Sequence, residues 1–212
     1  NLIKWTYTGT KITTVNVRYD LYGGSGVDTI PGNADDYAGI IQDAVPVASG
    51  TAGINWNSVP DVSNTVRVRI VDTGNANVKA DSDTFKIIGG LTLSAPLSGV
   101  TWVAKSTTNN ISWSFSGTIA NVKVYYDSNS GKGADNIAGN ADDYNSNIPI
   151  ATVAQAGSSG TTNYLWNPMP DTVTNAGQIK ITNAADETNV YSIGTDFKVG
   201  AQFNITQPEG GH

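Results

Sequence analysis

The sequence predicts an all-β protein made of two tandem, homologous antiparallel β-sandwiches. Three observations predict it. The chain repeats itself at an interval of 107 to 112 residues, its apolar residues alternate with polar ones, and turn-forming residues separate the alternating runs. No window carries a helical period.

The repeat can be followed element by element. Asn1-Leu-Ile-Lys-Trp5-Thr-Tyr-Thr-Gly9-Thr returns as Asn109-Asn-Ile-Ser-Trp113-Ser-Phe-Ser-Gly117-Thr. Ile3, Trp5 and Tyr7 alternate with Lys4 and Thr6, as Ile111, Trp113 and Phe115 do in the second copy, which is the pattern of a half-buried strand. Val15, Val17 and Tyr19 form the next alternating run, matched by Val122, Val124 and Tyr126. The segment from Gly26 to Tyr37 returns from Gly133 to Tyr144 with nine of twelve positions identical. Trp56-Asn-Ser-Val-Pro-Asp61 matches Trp166-Asn-Pro-Met-Pro-Asp171. Val66, Val68 and Ile70 form a further strand, with Ile179 and Ile181 as counterparts, and Phe85-Lys closes the first copy as Phe197-Lys closes the second. Six or seven short strands in about 100 residues imply two packed sheets, with the Trp residues filling the space between them.

These motifs carry a resemblance. The apolar-Trp strand, the V-x-V-x-Y strand, the W-N-x-x-P turn, the Val66-Arg-Val-Arg-Ile70 strand and the closing Ser82-Asp-Thr-Phe-Lys-Ile87 strand resemble the fibronectin-III/immunoglobulin-like repeat of large bacterial surface proteins. They are also similar to the Ser/Thr-rich fungal cell-wall assembly domain. The resemblance implies an Ig/FnIII-like fold and a secreted or cell-surface module in tandem arrays. It implies no catalytic residues.

Composition narrows the function classes. Sixteen Asp and two Glu stand against 12 Lys and Arg, giving a net charge of −6 with charged residues at 14%. A chain with three Arg is a poor match for a phosphate backbone, so no nucleic-acid partner is expected. No apolar run approaches 18 residues, so no membrane span is expected. There is no Cys and the single His is residue 212, which removes thiol nucleophiles, disulfides, an imidazole base and multi-His metal sites. The chain reads as a non-enzyme, and its low charge with abundant Ser, Thr, Asn and Gly fits an extracellular or cell-surface protein.

The candidate sites lie in the acidic loops. Asp20 to Tyr37 and Asp127 to Tyr144 are 18-residue spans where a hairpin needs two to five residues. Ordering such a loop costs entropy unless something clamps it. The candidate ligands are Asp20, Asp28, Asn33, Asp35 and Asp36, matched by Asp127, Asp135, Asn140, Asp142 and Asp143. Short oxygen-bearing side chains beside glycines suit Ca²⁺, which takes six to eight oxygens. The spacing is not that of an EF-hand. A solvated turn built on Asx hydrogen bonds and a partner-binding loop are the alternatives. Adjacent carboxylates such as Asp35 and Asp36 point apart and lie outside any evident cleft, which argues against a glycosidase pair.

The ends and the surface complete the expectations. The segment from Gly90 through Pro96 and Gly99 to Trp102 reads as the first strand of the second domain, and Ala201-Gln-Phe203-Asn-Ile205-Thr-Gln-Pro208-Glu-Gly-Gly211 looks like the same element again. Its counterpart ahead of Asn1 is missing. The expected domains are therefore residues 1–90, lacking a first strand, residues 91–200, and a segment 201–212 that starts a following repeat or donates a strand. Phe203, Ile205 and Pro208 are the residues of that linker or exchanged strand, and a frayed tail is the plain alternative. Asn110 and Asn204 begin N-x-Ser/Thr sequons and are possible glycosylation sites. Tyr22, Tyr125 and Trp102 are candidate exposed aromatics for sugar stacking.

The function these features predict is a structural repeat unit of an extracellular fibre, stalk or surface layer. It assembles head-to-tail with copies of itself or adjacent repeats, with calcium stabilising the acidic loops. The alternative is an adhesin or carbohydrate-binding module with glycan partners.

Overall fold

The computed structural model describes residues 1–144 and 148–207. Its regular elements are nearly all strands, paired antiparallel except for one parallel ladder between residues 198–200 and 101–103, and it divides into two compact units, Asn1–Ile88 and Gly89–His212. The alternation of apolar and polar residues is what builds it. In Thr14–Asp20 (β2) Val15 and Val17 are buried while Asn16 and Arg18 are only partly covered.

In unit 1, β2 lies between Gly39–Pro46 (β3) and Ser63–Asp72 (β5). The two halves of β5 take different partners, Lys79–Asp81 (β6) on one and Phe85–Ile87 (β7) on the other. Opposite this sheet runs a ladder of only two residues a side, Leu2–Ile3 (β1) with Ile54–Asn55 (β4). A single helical turn, Ser49–Ala52 (α1), precedes β4. The period-2 reading did not predict that turn. Val15, Val17, Val45, Val66, Val68 and Trp56 form the core, with Ile3 and Trp5 against it.

Unit 2 has counterparts of the seven strands of unit 1 and two strands more, with no helical turn between the counterparts of β3 and β4. Asn109–Ser116 (β10) pairs on one side with Ser159–Trp166 (β13) and on the other with Gly90–Ala95 (β8). The second sheet runs Ala151–Ala154 (β12), Asn121–Asp127 (β11), Thr174–Asn183 (β14), Phe197–Gly200 (β16) and Thr101–Val103 (β9), with Asp186–Ile193 (β15) also on β14. Both sheets contribute to one apolar cluster, a sandwich-like arrangement. Trp113, Trp166, Phe197, Ile111 and Val124 fill it, as the reading of the Trp residues as packing residues requires.

The differences between the units come from β8 and β9, which have no counterpart in unit 1 among the described residues. Where β8 pairs, β10 is an eight-residue strand. The equivalent stretch of unit 1 is strand for two residues. Phe197 is fully buried beneath Trp102 of β9, with ring centroids 5.0 Å apart. Its counterpart Phe85 is 38% exposed.

Candidate functional site

The acidic loops join β2 to β3 and β11 to β12, and both copies follow one backbone path. Left-handed φ values fall at matched positions: Gly26 and Gly133, Thr29 and Asn136, Gly32 and Gly139, Tyr37 and Tyr144. A Cβ at Gly26 would collide with the Asp35 carboxylate, and one at Gly133 with that of Asp142. Glycine at this position therefore serves both its φ and the close approach.

At the centre of the first loop sits Asp20, buried at the end of β2. Its Oδ1 accepts the backbone N–H of Tyr22 at 2.6 Å and of Gly24 at 3.0 Å. Its Oδ2 accepts those of Gly26 at 3.0 Å and Tyr37 at 3.2 Å. One carboxylate thus ties the beginning of the loop to its end, 17 residues on. Asp127 does the same in the second loop, accepting from Asn129, Gly133 and Tyr144 at 2.5, 3.1 and 3.0 Å. A carboxylate whose oxygens are taken up by amide N–H groups has its lone pairs committed. The clamping that the sequence assigns to a cation is performed at this point by Asp20 and Asp127 themselves.

A second ring of contacts lies further out. Asp35 Oδ2 accepts the Asp28 N–H at 3.2 Å, Asp28 Oδ1 accepts that of Ile30 at 2.8 Å, and the Asn33 amide donates to Asp28 Oδ2 at 2.8 Å. In the second loop Asp142 Oδ2 accepts from Ala134 and Asp135 at 2.7 and 3.2 Å, Asp135 from Ile137 at 2.8 Å, and Asn140 donates to Asp135 at 2.8 Å. These are Asx-type turns. Asp36 Oδ2 accepts from Gly32 at 2.5 Å and Asp143 Oδ2 from Gly139 at 2.6 Å. The other oxygen of each, Oδ1, is buried and has no hydrogen-bond partner among the described residues. Asp143 as a whole is only 8% exposed. Among those residues no three carboxylates converge into a metal centre built from acids alone.

The loops are fastened to the sheet as well as to themselves. The Gly23 N–H donates to Thr65 O and the Ser130 N–H to Ala176 O, both at 2.7 Å. The terminal Tyr of each loop faces a cation from the neighbouring strand. The Arg69 guanidinium lies 3.7 Å from the Tyr37 ring centroid, and Lys180 Nζ lies 5.2 Å from that of Tyr144. Arg69 is held by two bonds to Asp81, at 2.7 and 2.8 Å, and these keep the Asp81 carboxyl below its usual range. Burial first, then the charges of Asp127, Asp143 and Asp196, push the Tyr144 hydroxyl up to about 12. Sequence reasoning missed both the N–H-accepting role of Asp20 and Asp127 and the paired Arg69 and Lys180. The signal for the first was an Asp closing a strand with Gly residues four and six positions on, at Gly24 and Gly26.

The sugar-stacking aromatics need correction. Tyr22 is exposed, but Tyr125 is buried, its hydroxyl donating to Glu187 Oε2 at 2.6 Å. Burial and that bond push Tyr125 up to about 12. Burial alone would raise Glu187, but donation by Lys123, Tyr125 and Thr182 outweighs it and holds the carboxyl below its usual range. Trp102 is half-buried on Phe197. Two of the three rings are therefore committed to packing, because neighbouring strands cover the face on which they stand. Asn110 is exposed on β10 and accepts from Asn163 at 3.0 Å, while Asn204 lies in the exposed 201–207 segment. Phe203 and Ile205 are 94% and 84% exposed in that segment, and Pro208 lies outside the described residues.

No protein-family model matches this chain, and neither does any curated protein or solved structure. Among the described residues no helix is long and apolar enough to cross a membrane.

Proposed function

We propose that this chain is a structural repeat unit of an extracellular fibre, stalk or surface layer, made of two Ig/FnIII-like sandwiches that continue head-to-tail. One observation carries the reading. Residues 201–207 follow the last strand of unit 2 as β8 follows the last strand of unit 1 and repeat its Leu91 and Leu93 as Phe203 and Ile205, which supports a repeating arrangement. Head-to-tail continuation is heterologous and does not close, which favours fibres. Two of the three candidate stacking aromatics are packed away, so the adhesin or carbohydrate-binding reading loses its strongest residues.

Calcium is part of the proposal. The buried Oδ1 atoms of Asp36 and Asp143, without a partner among the described residues, occupy equivalent places in the two loops, and a buried carboxylate oxygen without a partner is costly. A hard cation meets that need. Asp36 and Asp143 are its expected anchors, with backbone carbonyls and water completing the shell because no three carboxylates converge among the described residues, and Asp20 and Asp127 hold the loops that carry them.

A melting series in 2 mM EDTA against rising calcium, with particle size read in the same samples, tests both parts. The midpoint rises with calcium concentration if the native state binds the ion. Asp35→Ala with Asp36→Ala removes that rise, whatever fall in EDTA follows from losing their bonds to the Asp28 and Gly32 N–H groups. Superimposed curves remove calcium from the account, and constant monomer size at all protein concentrations counts against self-assembly.

A further inference from the structure

β13 ends its three-stranded sheet, and among the described residues its one ladder is with β10. The pairing runs in unbroken register from Ser159 opposite Ser116 to Trp166 opposite Asn109. The other side of β13 is an open edge about 27 Å long.

The backbone groups on that edge follow from the neighbouring ladders. The Leu93 N–H points away from β10 and reaches Ser192 Oγ of β15 at 3.1 Å. Leu93 lies opposite Trp113, so theirs is a non-hydrogen-bonded pair and the backbone groups of Trp113 turn towards Thr162. Thr162 therefore bonds to β10, while Thr161 and Asn163 on either side of it present their N–H and C=O groups outward. Among the described residues no hydrogen bond takes up those outward groups.

Sheets protect their free edges with charge, proline, bulges or shortness. β3 carries Asp43, Pro46 and two register shifts. β15 carries Asp186 and Glu187 and meets β8 through Ser192. β6, β7, β9 and β12 are three or four residues long. β13 has eight residues, no charge, no proline and no bulge. β8 and β10 behind it are uncharged as well, in a chain of net charge −6.

We infer that the open edge of β13 is a self-association site, to which the β13 of a second copy adds antiparallel about a twofold axis. A strand edge turned antiparallel is complementary to its own copy, because each outward N–H meets a C=O. Charge selects the occupant. Two chains of net charge −6 repel where their acids face, and the β13 edge lets them touch without burying a carboxylate. The contact is isologous and closes as a dimer, with one six-stranded sheet running through it. It is lateral and does not depend on head-to-tail continuation. Pairing the two edges, with Thr161, Asn163 and Leu165 beside their copies, removes on the order of 1,000 Å² from water, the low end for a specific contact. The dimer is therefore reversible and concentration-dependent.

The two registers of longest overlap set Thr161 opposite Asn163 of the copy, or Asn163 opposite itself. The absence of cysteine permits a direct test in the intact chain. Thr161→Cys and Asn163→Cys are oxidised mildly, singly and mixed, and read by non-reducing electrophoresis. Opposed residues of an antiparallel pair lie within the Cα separation that a disulfide accepts. Ser112→Cys is the control, since Ser112 pairs with Asn163 but stands one strand further in. Sedimentation of unmodified protein over a concentration series runs in parallel. The expected result is a concentration-dependent doubling of mass. Asn163→Cys alone, or its mixture with Thr161→Cys, gives a cross-linked dimer in roughly tenfold or greater yield than Ser112→Cys. Thr161→Pro removes an outward N–H and Thr161→Lys adds an edge charge, and each loses the doubling while keeping the folded circular dichroism signal. Head-to-tail growth uses other surfaces and survives both variants, so the two contacts are read separately. Doubling that survives both variants, or cross-linking no better than that of Ser112→Cys, overturns β13 as the contact. A monomer at every concentration overturns the second copy as its occupant.

Discussion

Replacing Asp20 by alanine tests the central element of the acidic loop. The carboxylate accepts four backbone N–H groups, and hydrogen bonds to a charged acceptor contribute about 1.5–3 kcal/mol each. The gross loss is not the expected cost. The Tyr22 and Gly24 N–H groups are only partly buried and water replaces the carboxylate there, whereas those of Gly26 and Tyr37 are buried and stay unsatisfied. Two buried donors left without partners, at about 1–3 kcal/mol each, put the cost near 3–5 kcal/mol. That is a large fraction of the stability of an ordinary domain, about 5–15 kcal/mol. With a denaturant slope of about 1–1.5 kcal/mol per molar, the urea midpoint of unit 1 falls by roughly 2–5 M. Amide hydrogen exchange read peptide by peptide provides the assay, because it separates unit 1 from unit 2 within one chain. Protection falls at residues 22–37 and across unit 1, while the peptides of unit 2 keep theirs. Asp28→Ala is the control, since that side chain is exposed and holds only local turns. If Asp20→Ala costs no more than Asp28→Ala, the loop is held by something other than this carboxylate and the reasoning fails.

Two further predictions follow from the contrast between the units. Tyr125, Tyr126 and Tyr144 in unit 2 are each pushed up to about 12 by burial. Unfolded tyrosine ionises near 10. The stability this represents is whole below pH 10 and is lost as the pH climbs towards 12, because the unfolded chain sheds protons that the folded unit retains. Tyrosinate absorbance and circular dichroism should change together in that interval. A complete ionisation near pH 10 with the folded signal intact would refute this. Trp113 is fully buried between paired strands while its counterpart Trp5 is half-covered beside an open cleft. Trp113→Ala should therefore cost about 3–5 kcal/mol and Trp5→Ala about half of that or less, as measured by urea unfolding of each variant. Equal costs would mean that the cleft does not leave Trp5 short of packing.

How far the sequence reaches can be judged at particular residues. The alternation of Val15 and Val17 with Asn16 and Arg18 marks both the strand and its buried face, because side-chain direction in a strand has a period of two whatever the neighbours are. The repeated Trp113 and Trp166 are legible as core for the same reason. The match of Phe203 and Ile205 to Leu91 and Leu93 needs only comparison of the chain with itself, whereas their exposure is read from the structure. The acidic loops are legible as a repeated, costly feature that must be held.

What holds them is decided by tertiary structure. The Tyr37 N–H meets Asp20 across 17 residues, and Arg69 reaches Tyr37 from another strand. Neither distance is encoded in a local pattern, since a backbone donor belongs to every residue and only the folded path selects which ones converge on a carboxylate. Tyr125 makes the same point for exposure. Its place on the polar-facing side of an alternating strand reads as solvent-facing, yet Glu187 of β15 accepts its hydroxyl and Lys180 lies 5.9 Å from its ring. Period and repetition are properties of the chain alone, and they determined the strands, their inward faces and the duplication. Partners in hydrogen bonding, burial of outward rings and the open cleft beside β1 depend on which strands become neighbours, and folding decides that.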